Sequence, residues 1–226
     1  METTLTPKRK RSYLSNPQAL ANYNAIFTNV ETQPQIKTAL AEYGYDTDKI
    51  AQGKSLAHAA QQAYNHNKKE DAESTATRHT FDTQADNLFA AFSTHRKAAK
   101  VAFRRQPQII KQLGITGREP NAFAPRIEEA VNFYRTISQT PDIAEPLKTF
   151  KITEQTIAQA QQQITDTHAA RAEYLREKGE SQDATKQKDA AFRAIETWLS
   201  DFFAVARIAL EDNPQLLEAL TKLVRS

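Results

Sequence analysis

The chain has no cysteine, one tryptophan, one methionine and five glycines in 226 residues. Without cysteine there is no disulfide, no thiolate metal site and no cysteine nucleophile, which suits a reducing compartment without requiring one. So few glycines leave no glycine-rich phosphate loop, no dinucleotide fingerprint and no Gly-x-Ser-x-Gly elbow. Long hydrophobic runs are missing too. The least polar stretch, "WLSDFFAVARIAL" (198–210), is too short and too charged to span a bilayer, so no membrane insertion is expected. The opening "METTLTPKRKRSYLSNPQ" is charged but lacks the apolar centre of a secretory signal. A soluble, cytoplasmic protein is the expectation. Hydrophobic residues still make up 39%, enough to argue against disorder. The mean hydropathy of −0.67 fits helices with one buried and one wet face.

What the chain does have is a repeat. Shifted by 107 residues, it stays in register with itself without a gap. Pro34 meets Pro141, Ile36 meets Ile143, Leu40 meets Leu147, "IAQ" (50–52) meets "IAQ" (157–159) and Pro107-Gln108 meets Pro214-Gln215. Residues 27–113 against 134–220 give 17 identities in 87 positions, where composition alone gives roughly six, and a sustained period of this kind marks an internal repeat. Many mismatches are conservative, such as Phe27/Tyr134, Val30/Ile137 and Val101/Ile208.

Both copies read as helices. Pro17, Pro34, Pro107, Pro125, Pro141 and Pro214 each precede an apolar pattern, as suits a first helical turn. A first helix is expected over about 17–31 and 124–139, and a short one after Pro34 and Pro141, with Pro146 shortening the second. "YDTDKI" and "KITEQTI" open a third, capped by Asp or Thr. This third helix should end near "EDAES" and "EKGES", with Gly179 as the left-handed residue past its end and Ser74 and Ser181 capping a fourth. The fourth helix carries the clearest pattern. Phe81, Ala85, Leu88, Phe92, His95, Ala99 and Ala102 are spaced 4-3-4-3-4-3, and Lys188, Phe192, Ile195, Leu199, Phe202, Ala206 and Ala209 repeat that spacing. Such a heptad seam packs lengthwise at a shallow angle. The expected fold is all-α: an internal tandem duplication with offset 107, each copy a long antiparallel helical hairpin plus short helices, packed as a pseudo-two-fold bundle. The expected divisions are a basic, flexible tail over 1–12, one helical repeat over 13–117 and a second over 118–226, folding apart or as one shared bundle.

The ending "SDFFAVARIALEDNPQLLEAL…VRS", preceded by "GESQDATKQKDAAF" and "KITEQTI", resembles a family of uncharacterised tandem-repeat, all-helical bacterial proteins. The resemblance is strongest over 150–226. It implies an α-helical bacterial protein and brings no activity, ligand or catalytic residue.

Chemistry is sparse. Helical bundles often hold metals on Glu-x-x-His, but Ser55, Ala63, Ala76, Phe92 and Thr165 stand three residues before the five histidines. No catalytic, cofactor-binding or metal-binding residue is therefore expected, and neither is an enzyme. His95 lies on the seam where the second copy has Phe202; it reads either as a proton-sensing group or as a core histidine with one hydrogen bond. Asp82 and Asp189 match across the copies without a partner acid and read as solvated helix surface.

Two basic stretches remain. Lys8, Arg9, Lys10 and Arg11 form either an anion-gripping arm or a solvated tail. Arg96, Lys97, Lys100, Arg104 and Arg105 crowd one helix end, where positive charge also complements the helix dipole. Trp198, Phe202 and Phe203 cover more of a helix than one seam needs, so they form either core or a partner surface. Charge is uneven: residues 1–118 carry 17 Lys+Arg against 10 Asp+Glu, and residues 119–226 carry 13 against 17. The leading functional expectation is a non-enzymatic helical scaffold or interaction protein, self-assembling through its basic first half and acidic second half. The alternative is nucleic-acid binding through the basic tail and the Arg96–Arg105 patch. A protein partner or self-association is expected, and no cofactor.

Overall fold

A computed structural model describes residues 14–221; the expected tail over 1–12, with Lys8, Arg9, Lys10 and Arg11, lies outside the described residues. Among the described residues there are eight helices and no strand: α1 (Asn16–Thr32), α2 (Pro34–Glu42), α3 (Thr47–Ala102), α4 (Pro107–Gln112), α5 (Phe123–Gln139), α6 (Pro141–Lys148), α7 (Glu154–Ala209) and α8 (Pro214–Thr221). No helix among them is long and apolar enough to cross a membrane. The all-α expectation holds.

Local chemistry explains the starts. Pro34, Pro107, Pro141 and Pro214 each occupy a first helical position, where the missing N–H costs nothing. The Ser15 N–H donates to Gln18 Oε1 at 3.0 Å, the backbone arm of a capping box. Asp46 Oδ1 accepts the Lys49 N–H at 2.9 Å, and Thr153 Oγ1 accepts the Thr156 N–H at 3.3 Å, so α3 and α7 begin on the expected Asp and Thr caps. Just before those caps the backbone turns left-handed at Gly44 (φ 82°) and at Lys151 (φ 64°), positions 107 apart. Glycine adopts that conformation without strain and lysine does not.

The expected hairpin within each copy is corrected. α3 and α7 are single helices of 56 residues each and do not turn near 71–74 or 178–181. Gly179 is helical, and Ser74 and Ser181 are interior rather than caps. Both segments lack proline, and one glycine inside a helix costs only about 1 kcal/mol. Against that cost stands a run of inward positions that continues through the polar stretch: Glu70 and Glu177 are buried, and Ser74, Thr77, Phe81 and Ser181 are half-buried.

The chain divides into two compact units. Over the described residues, unit 1 comprises 14–69 and 182–221, and unit 2 comprises 70–181. The divisions fall inside α3 and α7, not at the expected 117/118. Each unit thus takes residues from both sides of the expected 117/118 boundary. In unit 1 the first part of α3 runs antiparallel to the last part of α7: Trp198 lies against Gly53, and Asn67 Nδ2 donates to Thr185 Oγ1 at 3.0 Å. The core adds Phe27 and Val30 of α1, Ile36 and Leu40 of α2, and Leu220 of α8. Asn29 Nδ2 ties α1 to α8 through the Ala219 carbonyl at 3.0 Å. In unit 2 the last part of α3 runs antiparallel to the first part of α7, and Ser181 Oγ donates to Asp71 Oδ1 at 2.6 Å. Its core adds Phe133, Tyr134 and Ile137 of α5, Ile143 and Leu147 of α6, and Phe103, Leu113 and Ile115. The expected heptad residues Leu88, Phe92, Ala99, Ile195, Leu199, Phe202 and Ala206 are all buried in these cores.

Candidate functional site

The basic stretch at the end of α3 separates into structural and exposed halves. Arg96 is only 5% exposed. Its Nε donates to Glu129 Oε1 of α5 at 2.5 Å, and its Nη2 donates to the carbonyls of Ile115 (3.3 Å) and Gly117 (3.2 Å). Arg96 therefore fastens the 115–117 loop and α5 to α3, and the expected anion contact at this residue is corrected: a buried charge of this kind is held because it is paired. Lys100 Nζ donates to the Gly117 carbonyl at 2.6 Å. Burial and the neighbouring Arg96 charge lower the Lys100 pKa. Lys97, Arg104 and Arg105 are exposed.

A second network stands one turn back. Ser93 Oγ donates to Glu119 (2.7 Å) and accepts from Arg126 Nη2 (3.0 Å), while Arg126 Nε donates to Glu119 Oε1 at 2.7 Å. Burial raises the Glu119 pKa, but the bonds from Ser93 and Arg126 outweigh it and hold the carboxyl below its usual range. The Arg126 guanidinium also lies 4.4 Å from the centre of the Phe89 ring. His95 Nδ1 lies 2.8 Å from Tyr134 Oη, edge-on to that ring. Burial lowers the His95 pKa and raises that of Tyr134, so both groups are held neutral and share one hydrogen bond.

Trp198 and Phe202 are core, and the expected partner surface there is corrected. Trp198 packs between Phe27 (ring centres 5.5 Å apart), Tyr45 (5.5 Å) and Phe202 (5.2 Å). Phe203 is half-buried and meets the Phe202 ring edge to face at 5.3 Å.

What remains on the surface is a pair of matching corners. From the last turn of α3 through α4, in unit 2, Val101, Arg104, Arg105 and Lys111 are exposed. From the last turn of α7 through α8, in unit 1, the positions 107 later are Ile208, Glu211, Asp212 and Glu218, also exposed. The first set holds three cations and one apolar side chain, and the second holds three anions and one apolar side chain. Over the described residues each unit is close to neutral: unit 1 holds 9 Lys+Arg against 11 Asp+Glu, and unit 2 holds 15 against 15. The reversal is thus a local property of the corners.

Two clefts also occupy matching places. In unit 2, Ile137, Pro141, Ala144, Lys148, Ile157 and Gln161 line about 310 Å³. In unit 1 the equivalent cleft is about 130 Å³, because Lys37 and the Glu31–Lys54 ion pair (2.5 Å) stand where Ala144, Ser138 and Gln161 leave room.

One group of residues was not foreseen. Carboxylate oxygens of Glu70, Glu177 and Glu180 lie within 4.8 Å of one another in unit 2. No Glu-x-x-His spacing marks them; the signal legible in the sequence is the repeated Glu-x-x-Glu-Ser at 70–74 and 177–181.

No family model, curated protein or solved structure matches the chain.

Proposed function

We propose that the chain is a non-enzymatic helical scaffold that docks head to tail with further copies of itself. The α3–α4 corner of one molecule meets the α7–α8 corner of the next. The observation that carries this reading is the exposed reversal Arg104/Glu211, Arg105/Asp212 and Lys111/Glu218, set beside the exposed apolar pair Val101/Ile208. A tandem duplication accounts for the two corners: α1 and α5 are 17 residues each, α3 and α7 are 56 each, and each pair ends 107 residues apart. Such a contact joins two different surfaces, so it closes into a ring or propagates as a filament. Exposed ion pairs contribute about 0–1 kcal/mol each, which makes the contact weak and sensitive to salt.

Light scattering from the full chain at high protein concentration tests this reading. Mass should exceed the 25.5 kDa monomer at low salt and return to it at high salt. A monomer under both conditions overturns it.

A nucleic-acid reading draws on the exposed Lys97, Arg104 and Arg105 but loses Arg96 to the fold. It predicts binding whose affinity falls steeply with salt and which ignores charge changes at Glu211 and Asp212. Head-to-tail docking requires those two residues, and that difference separates the readings.

A further inference from the structure

Glu70 and Glu177 occupy the same position in the two sequence copies, and both are buried, at 5% and 7% exposure. They stand midway along α3 and α7. Glu180, one turn beyond Glu177, brings a third carboxylate to within 4.8 Å and is itself exposed. Carboxylates crowded and buried in this way need positive charge close by.

Arg176 supplies part of it. Its Nε and Nη2 donate to Glu173 at 3.1 and 2.7 Å, its Nη1 donates to Glu180 Oε1 at 2.6 Å, and its Nη2 also donates to Glu177 Oε1. The guanidinium is therefore shared among three carboxylates and lies half-exposed. Glu177 Oε2 stays outside this arrangement. Its side chain is 9% exposed, and the oxygen has no hydrogen-bond partner. Glu177 thus pairs with Arg176 through one oxygen and keeps the other buried and unpartnered, and such an oxygen is open to a cation.

We propose that Glu70, Glu177 and Glu180 form a binding site for one hard divalent cation, of the class of Mn²⁺, Mg²⁺ or Ca²⁺. The donor set selects that class, because carboxylate oxygens suit hard ions and the chain has no thiolate to attract soft ones. The spacing agrees. Ions of this class hold oxygens at about 2.0–2.6 Å, so oxygens on opposite sides of one ion stand about 4–5 Å apart. Glu177 binds through Oε2 while Oε1 keeps Arg176. Glu180 has a second oxygen beyond the one that faces Arg176, and its exposure gives the ion a way in from solvent. Water completes the coordination shell, as is usual for Mg²⁺. The ion then cross-links α3 to α7, where their facing side chains are polar rather than apolar. This proposal does not rest on head-to-tail docking, because the ion is counted per chain whatever the assembly.

The test uses the full chain, stripped with a chelator and titrated with MnCl₂, with free Mn²⁺ read by electron paramagnetic resonance. One Mn²⁺ per chain is expected, together with a melting temperature that rises with ion concentration. Glu177→Gln and Glu180→Gln should each weaken binding about tenfold or more, whereas the exposed Glu154→Gln should leave it unchanged. Glu180 lies at the surface, so its variant folds even if the buried change at Glu177 does not; far-UV circular dichroism checks both. Mn²⁺ that stays free up to millimolar concentration overturns the proposal. So does one-to-one binding that neither Glu177→Gln nor Glu180→Gln weakens.

Discussion

Replacing Gly53 with alanine should weaken the protein, although the same change at Gly179 should strengthen it. Both glycines lie inside 56-residue helices, where alanine is favoured by about 0.8–1.0 kcal/mol on propensity alone. Their surroundings differ. A Cβ on Gly179 meets nothing within 4 Å, whereas one on Gly53 would stand 2.5, 2.6 and 2.7 Å from three atoms of the Trp198 ring. Favourable carbon contacts begin at about 3.5 Å, so the ring would have to retreat by about 1 Å. It has no free direction, since Phe27, Tyr45 and Phe202 hold it within 5.5 Å. Overpacking of this kind costs about 1–3 kcal/mol. Gly53→Ala therefore comes out neutral to about 2 kcal/mol destabilising, and Gly179→Ala about 1 kcal/mol stabilising. Thermal unfolding followed at 222 nm reads the difference, at about 2–4 °C per kcal/mol for a chain of this size. At the offset of 107, Gly53 corresponds to Ala160 and Trp198 to Ala91, which suggests the control. In a Trp198→Ala background, Gly53→Ala should become stabilising. If Gly53→Ala raises the melting temperature as much as Gly179→Ala does, the packing argument is wrong.

Further outcomes follow from the buried polar groups. Arg96→Ala strips Glu129, 10% exposed, of its partner and should cost about 3–5 kcal/mol in urea unfolding; Lys97→Ala, at an exposed position, should cost less than about 0.5. His95→Phe or Tyr134→Phe alone breaks the 2.8 Å contact and orphans a buried group, at a cost of about 1–3 kcal/mol. The double change copies Phe202 and Phe27 of unit 1 and should be tolerated better than the two single costs combined, a coupling that a double-mutant cycle measures. Because the folded His95 pKa is lowered, the unfolded chain binds the proton more readily. The His95 contribution to stability is full above about pH 6.5 and is lost as pH falls below that value. Unfolding curves between pH 5 and 8 should show this loss in the native chain and not in the double variant.

How much of this was legible in the sequence depended on whether a residue's surroundings were apolar. The proline starts follow from the free first turn of a helix and the 4-3 spacing from one buried face per helix, and Leu88, Phe92, Leu199 and Phe202 lie where that spacing puts them. The middle of each long helix misled because its inward positions are polar. Polar residues interrupt the apolar stripe, so that EDAES (70–74), and EKGES (177–181) with its Gly179, read as turns. In the structure two polar side chains of this stretch bond across the helix pair, Asn67 to Thr185 and Ser181 to Asp71. No local pattern foretells a partner 110 or more residues away. The same limit hid the role of Arg96, which is one cation among five in the sequence and the only buried one in the fold. The reversal of charge between Arg104, Arg105 and Lys111 and their counterparts was visible in part; that the fold leaves these positions exposed was not.

Head-to-tail docking is tested most directly by mixing two charge variants and measuring mass by light scattering at low salt. One variant carries Arg104→Glu, Arg105→Glu and Lys111→Glu, which makes both corners acidic. The other carries Glu211→Lys, Asp212→Lys and Glu218→Lys, which makes both corners basic. Each alone should run as a monomer, and the equimolar mixture should regain the mass of the native chain. Two variants that still assemble separately, or a mixture that stays monomeric while the native chain does not, would contradict docking through these corners.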